Sequence, residues 1–165
     1  MSTVGEYLRL TPEELNRVVD DPQVIAELVE QFIECEEEVD DSEPRHHDTD
    51  VAWAALEFLL DRIGFPVDIV RGEEDIPGAS DWGNGPHRYL TSDQVSHAAQ
   101  ALAATSVEAL LSGVTAEDLA QTDIYPSDFW AEQDSLKYVA GAYERLVPFV
   151  QAAARNGHPI LVWLN

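Results

Sequence analysis

Basic residues and sulfur are scarce in this chain. Of its 165 residues, nine are lysine or arginine, one is cysteine and one is methionine, against 32 aspartates and glutamates. The formal net charge is −23 at pH 7. Nucleic-acid binding needs a basic footprint, so this deficit argues against a nucleic-acid partner. It also opposes docking on anionic membranes. No apolar run reaches the roughly 18 residues that cross a bilayer, so no membrane partner is expected. The lone Cys35 precludes an internal disulfide. No Cys/His spacing matches a zinc site, so neither a metal nor a cofactor is expected. The segment Met1 to Tyr7 has no basic n-region and no apolar h-region. It does not read as a signal peptide, and the expected location is the cytoplasm.

What is present is an ordinary apolar share, 45%, in a length that suits one compact domain. A chain of this size buries roughly 70% of its unfolded surface, so it folds without disulfide or metal. The charge is uneven. Residues 1–82 carry 23 acidic and five basic side chains, net −18, whereas residues 83–165 carry nine and four, net −5. The densest run, Glu34 to Glu43, holds seven carboxylates and no cation. Such a run reads as a solvated, mobile loop over 34–48, or as a docking surface for a basic partner. Low lysine (Lys137 alone) with high acid also fits salt adaptation or an arginine-rich coding bias.

Polar and apolar residues alternate from Glu6 to Leu10, which predicts a strand. Thr11-Pro12-Glu13-Glu14 supplies an N-cap, a proline at N1 and a capping-box glutamate for a helix ending near Asp20. A second helix opens at Asp21-Pro22, with Val24, Ile25, Leu28, Val29, Phe32 and Ile33 as its apolar stripe. After the acidic run, Asp48, Thr49 or Asp50 caps a helix from Val51 to about Ile63. That helix is apolar nearly all round, with Glu57 and Asp61 as its polar positions, which places it in the core. Val67–Arg71 reads as a short strand, and Arg88–Leu90 as a brief addition to the sheet. Thr91 opens a helix that buries Val95, Ala98, Ala99 and Leu102. Short helical turns near 106–111 and 115–121 follow, then an extended break at Ile124–Pro126. A long helix from about Asp134 to Asn156, kinked at Pro148, leads to the apolar strand Ile160–Leu164. A strand apolar on both faces belongs in the middle of a sheet. The expected fold class is α+β: one mostly helical domain, a small mixed sheet using the N- and C-terminal strands, and a buried central helix near 51–63.

These residues resemble a known family. The initial strand with Thr11-Pro-Glu-Glu14, Asp48-Thr-Asp-Val-Ala-Trp53 with Leu56 to Leu60, and Arg71-Gly-Glu-Glu74 carry the likeness. So do Asp123-Ile-Tyr-Pro126 and Ala142-Tyr-Glu-Arg145, running into Asn156-Gly157 and the final strand. In that order they resemble the YfbM-like family of bacterial domains of unknown function, over nearly the whole chain. The loop Asp81 to Leu90 is similar to a variant found in part of that family. The resemblance implies a single-domain cytoplasmic α+β protein. It brings no activity, cofactor or catalytic residue.

The candidate binding site is the loop Trp82-Gly-Asn-Gly-Pro-His87-Arg88-Tyr89. It sets aromatics, a histidine and an arginine among glycines that let backbone approach a ligand. Arg88 suits a carboxylate or phosphate. The plainer reading is that Trp82 and Tyr89 pin the loop to the core while Arg88 pairs with a local carboxylate. Tyr125 and Trp130 form an aromatic patch that reads as an interface anchor or as a loop pinned on the core. Asp50 reads as a helix cap or as a base, and Trp53 as core or as a ligand platform. His46, His47, Asp48 and Asp50 are metal-ligand types. Adjacent histidines on an extended chain diverge, however, so a structural role is expected there.

Three functions follow, in this order. The first is a non-enzymatic interaction module that binds a basic protein, for example to neutralise a basic toxin, because long-range charge speeds such encounters. The second is a small-molecule-binding protein or enzyme with its pocket at Trp82–Tyr89. The third is metal-assisted hydrolysis at His46–Asp50.

Overall fold

Three threonines start three helices. Thr11, Thr91 and Thr115 each accept the amide of the residue three positions on, whose side chain accepts the threonine amide in return. These reciprocal bonds satisfy two amides that a helix start leaves without partners. In a computed structural model that describes residues 2–34, 43–132 and 134–165, such local signals order most of the chain. Strand β1 (Gly5–Arg9) leads through Thr11 into α1 (Pro12–Asp20) and α2 (Val24–Val29). A π-helical turn, Glu30–Glu34, replaces the rest of the expected second helix. Residues 35–42, and with them Cys35 and most of the acidic run, lie outside the described residues.

Next come β2 (His46–Asp48), a 3₁₀ turn at Asp50–Ala52, α3 (Trp53–Arg62), β3 (Glu74–Asp75) and β4 (Arg88–Leu90). Helices α4 (Ser92–Ala103), α5 (Val107–Leu111), α6 (Ala116–Gln121) and α7 (Ser135–Arg155) precede the last strand, β5 (Ile160–Leu164). The sheet order is β2-β1-β5-β4-β3. The class is α+β, with the terminal strands side by side in the sheet, as the sequence predicts. The sheet is not mixed, however: β1 runs antiparallel to β2 and β5, and β4 runs antiparallel to β5 and β3.

The central strand β5 is buried at all five positions. Alternate residues serve two separate apolar clusters. Ile160, Val162 and Leu164 join α3, α4 and α7 in the larger one. Leu161 and Trp163 join Leu8, Leu10, Val18, Ile25 and Leu28 in the smaller one under α1 and α2. Helices on both sides explain why an antiparallel strand here carries no polar residue. Helix α3 buries Trp53 to Leu56, Leu59 and Leu60, in agreement with its place in the core.

Several local expectations need correction. Val67–Arg71 is not a strand. The Asp68 carboxylate accepts the amides of Val70 (3.2 Å) and Arg71 (2.9 Å), folding the segment into a turn while Val67, Ile69 and Val70 remain buried. His46–Asp48, read as the end of a loop, forms β2, because three residues pair with Glu6 to Leu8 of β1. Among the described residues no side chain caps the 3₁₀ turn or α3; Asp48 instead accepts the Asp50 amide at 3.0 Å. The break at Tyr125-Pro126 is a turn with a cis peptide bond.

Gly5 marks the closest approach between β1 and the start of α3. A Cβ there would stand 2.5 Å from Thr49 Oγ1 and 3.0 Å from Trp53 Cβ. Gly5→Ala is expected to cost about 1–3 kcal/mol, since a packed neighbour must move. Urea unfolding reads this as a lower midpoint, and an unchanged midpoint would show that the contact relaxes freely.

Candidate functional site

Along α3, Trp53, Glu57 and Asp61 recur every fourth residue and share one face. That face forms the wall of a cleft of about 350 Å³, closed by Arg71 from the turn before β3 and by Asp123 and Tyr125 from the loop after α6. Two aromatic residues line it, of which Trp53 is buried. The Trp53 and Tyr125 rings stack with centroids 5.6 Å apart and an angle of 24°. Both are tied to residue 3: Trp53 Nε1 donates to the Thr3 carbonyl at 2.9 Å, and the Thr3 amide donates to Tyr125 Oη at 2.7 Å.

The cleft contains one cation, and it is already paired. Arg71 donates through Nε to Glu57 Oε2 at 2.6 Å and through a terminal nitrogen to Oε1 at 3.3 Å. Its guanidinium carbon also lies 5.1 Å from the Trp53 ring centroid. Glu57 holds the guanidinium more strongly protonated than usual. By contrast, the Asp61 and Asp123 carboxylates have no hydrogen-bond or ion-pair partner among the described residues. A second, smaller cavity of about 190 Å³ shares Glu57 and Asp61 and adds Asp68 and Glu73. Burial raises the Asp68 carboxyl above its ordinary range, and the charges of Glu57 and Glu73 add to the shift.

The loop singled out in the sequence adjoins this cleft but does not line it: Thr3 Oγ1 donates to Asn84 Oδ1 at 3.5 Å, and Arg71 lies between the two. Asp81 accepts the amides of Gly83 (2.7 Å) and Gly85 (3.0 Å), which curls the loop. Trp82 is 38% exposed and meets the His87 ring edge-on at 4.4 Å. His87 is 1% exposed and lies 4.9 Å from the Trp163 ring. Burial depresses its pKa to about 4, and the Ser80 carbonyl opposes the shift. Among the described residues, neither ring nitrogen of His87, nor the indole nitrogen of Trp163, makes a well-formed hydrogen bond.

Arg88 is engaged locally. It pairs with Asp75 and donates to the carbonyls of Gly72 (3.3 Å) and Glu73 (3.1 Å). Tyr89 is half-buried, opposite Glu74 and Leu161 in the sheet. A cavity of about 120 Å³ beside the loop is lined by Arg71, Asn84, Gly85, Arg88 and Trp163 among others.

The other candidates separate. Asp50 adopts φ 49° and accepts the Tyr138 hydroxyl at 2.7 Å, a contact apart from the cleft. The two histidines diverge as adjacent strand residues do: His46 Nε2 meets Glu6 Oε2 at 2.5 Å, while His47 stacks on Phe149 at 5.3 Å. No group of three or more metal-ligating residues converges among the described residues. Trp130 is fully buried, a loop pinned on the core. Thus the structure brings Tyr125 together with Trp53, Glu57, Asp61, Arg71 and Asp123. Sequence reasoning noted Glu57 and Asp61 as the polar positions of a core helix. It gave no weight to their four-residue spacing from Trp53, which was the available signal.

The family model described as "Domain of unknown function (DUF1877)" matches residues 1–163. The chain is a member of the DUF1877 family. A likeness to the solved structure of YfbM from Escherichia coli, a protein of unknown function, agrees with this. It has a TM-score of 0.69 and 18% identity over 98% of this chain and 99% of that one. At this identity the likeness establishes the fold of the DUF1877 chain alone. No curated protein matches. Among the described residues, no helix of this DUF1877 domain is long and apolar enough to cross a membrane.

Proposed function

We propose that this DUF1877 domain is a non-enzymatic interaction module of the cytoplasm that binds a basic protein, neutralisation of a basic toxin being one form this takes. The observation that carries the reading is the cleft on α3. Two of its carboxylates, Asp61 and Asp123, have no hydrogen-bond or ion-pair partner among the described residues, in a chain of net charge −23. A surface field of one sign speeds encounter with a partner of the other sign and repels anionic competitors.

The test is retention of protein from a lysate at low ionic strength, release by salt, and re-formation of the complex from the two purified proteins. Exposed charge pairs are screened over roughly 30 Å at 0.01 M salt but only about 8 Å at 0.15 M. The retained protein is therefore expected to be basic and its affinity to fall steeply between these conditions. No retention at the lower salt, or a complex indifferent to salt, contradicts the reading.

A second reading, a small-molecule pocket at Trp82–Tyr89, draws support from the 120 Å³ cavity lined by Asn84, Gly85 and Arg88 of that loop. It ranks lower because the Arg88 guanidinium is spent on Asp75 and on two backbone carbonyls.

A further inference from the structure

We propose that residues 81–87 form a lid on the 120 Å³ cavity, latched by the His87 ring, and that protonation of His87 releases the latch. The device goes beyond the interaction reading and does not depend on it. Asn84, Gly85 and Pro86 form part of the cavity lining, together with Val70, Val162 and Leu164. The lid has few ties to the sheet. The ladder between β4 and β5 stops at Arg88 and Val162. Among the described residues, the amides of Gly83 and Gly85 bond within the loop, to Asp81, and Asn84 makes one long contact of 3.5 Å with Thr3. Gly83 and Gly85 adopt φ 113° and 104°, which gives the loop two swivels. What fastens it is His87, 1% exposed, whose ring lies 4.4 Å from Trp82 and 4.9 Å from Trp163.

The slot suits a neutral ring. Protonation turns the acceptor nitrogen of an imidazole into a second donor, and neither nitrogen has a well-formed bond among the described residues. The charges on the elements packed here are engaged elsewhere. Asp81 accepts the two glycine amides, and Arg88 pairs with Asp75. Glu6, in register with Trp163 on β1, meets His46. Glu14 on α1 and Glu27 on α2 pair with Arg45 and Arg17. None of them shifts the imidazole: burial does, and the Ser80 carbonyl opposes it. An imidazolium in this slot loses water and gains no partner charge, so it favours the open loop. Opening uncovers Trp163 and removes one wall of the cavity. Because the released ring regains its ordinary value, the ratio of open to latched lid rises about a hundredfold between pH 7 and pH 4.

The indole N–H of Trp163, a side chain 4% exposed, reports the opening. The experiment follows exchange of the indole N–H groups of the isotope-labelled full chain from pH 7 to pH 4, each rate divided by that of N-acetyltryptophan amide at the same pH. Trp163 protection is expected to fall about a hundredfold, while Trp130, 0% exposed in the larger core, stays protected. His87→Phe, which keeps a ring and removes the titration, should hold Trp163 protected throughout. His87→Ala, which removes the wedge, should let Trp163 exchange fast already at pH 7 with Trp130 still protected. Trp163 protection that ignores pH, an equal fall in His87→Phe, or a fall shared by Trp130, which is unfolding of the whole domain, overturns the proposal.

Discussion

Trp130→Ala is expected to cost about 3–5 kcal/mol of folding stability, the range for deleting a large aromatic side chain from a packed core. Trp130 is 0% exposed although it lies in the irregular loop between α6 and α7. Its indole nitrogen donates to the Tyr125 carbonyl at 3.1 Å, and its own carbonyl accepts the Ser135 hydroxyl at 3.1 Å. Phe129 packs edge-on against it at 4.9 Å. The alanine variant leaves a cavity where the ring was and leaves a buried acceptor and its loop unfastened. Domains of this size are stable by roughly 5–15 kcal/mol, so the loss takes a large part of the total. Because Trp130 anchors the backbone of Tyr125, the variant should also disorder one wall of the α3 cleft. Urea unfolding checks the first effect, and the amide spectrum of residues 123–125 in the still-folded fraction checks the second. A variant with unchanged unfolding would show that the loop is not part of the core.

The second large effect is a loss of stability on acidification that His87 controls. Burial lowers its folded pKa to about 4 from an ordinary value of 6.5. Above pH 6.5 the imidazole is neutral in both the folded and unfolded states, and its contribution is fully present. As pH falls from 6.5 towards 4, the unfolded chain takes up the proton first and the folded state loses stability. The size is about 3 kcal/mol over that window. His47 and His158 are also depressed by burial and act in the same direction. The His87 share is therefore read as a difference: His87→Leu should flatten the pH dependence of the urea midpoint between pH 6.5 and 4. Parallel curves for the two proteins would show that His87 is hydrated rather than buried between Trp82 and Trp163.

How much of this was legible in the sequence depended on the range of the forces involved. The starts of α1, α4 and α6 could be read because each capping box closes within four residues. The central place of β5 could be read because five consecutive apolar residues need cover on both faces. The antiparallel sense of the sheet could not, since it is set by pairing between strands far apart in the chain. The three-residue β2 was hidden in an acidic stretch because its strand character comes from hydrogen bonds to β1, not from apolar alternation. Val67–Arg71 misled for the opposite reason: its apolar residues are buried, yet one carboxylate, Asp68, bends the backbone. The cleft was the least visible feature. Asp61 and Glu57 are close in sequence to Trp53, but Asp123 and Tyr125 reach it only through the tertiary fold. Asp50 drew attention beside Trp53, and the structure turns it towards Tyr138 instead.

The central claim is that the carboxylates of the α3 cleft, in a chain of net charge −23, give this DUF1877 domain a surface for a basic protein. Calorimetric titration of an oligoarginine peptide and its citrulline counterpart, at low and physiological salt, tests it most directly. The claim predicts saturable binding of the arginine peptide alone, weakened both by salt and by Asp61→Asn/Asp123→Asn. Equal heats for the two peptides, or arginine binding that ignores both salt and the double substitution, would contradict it.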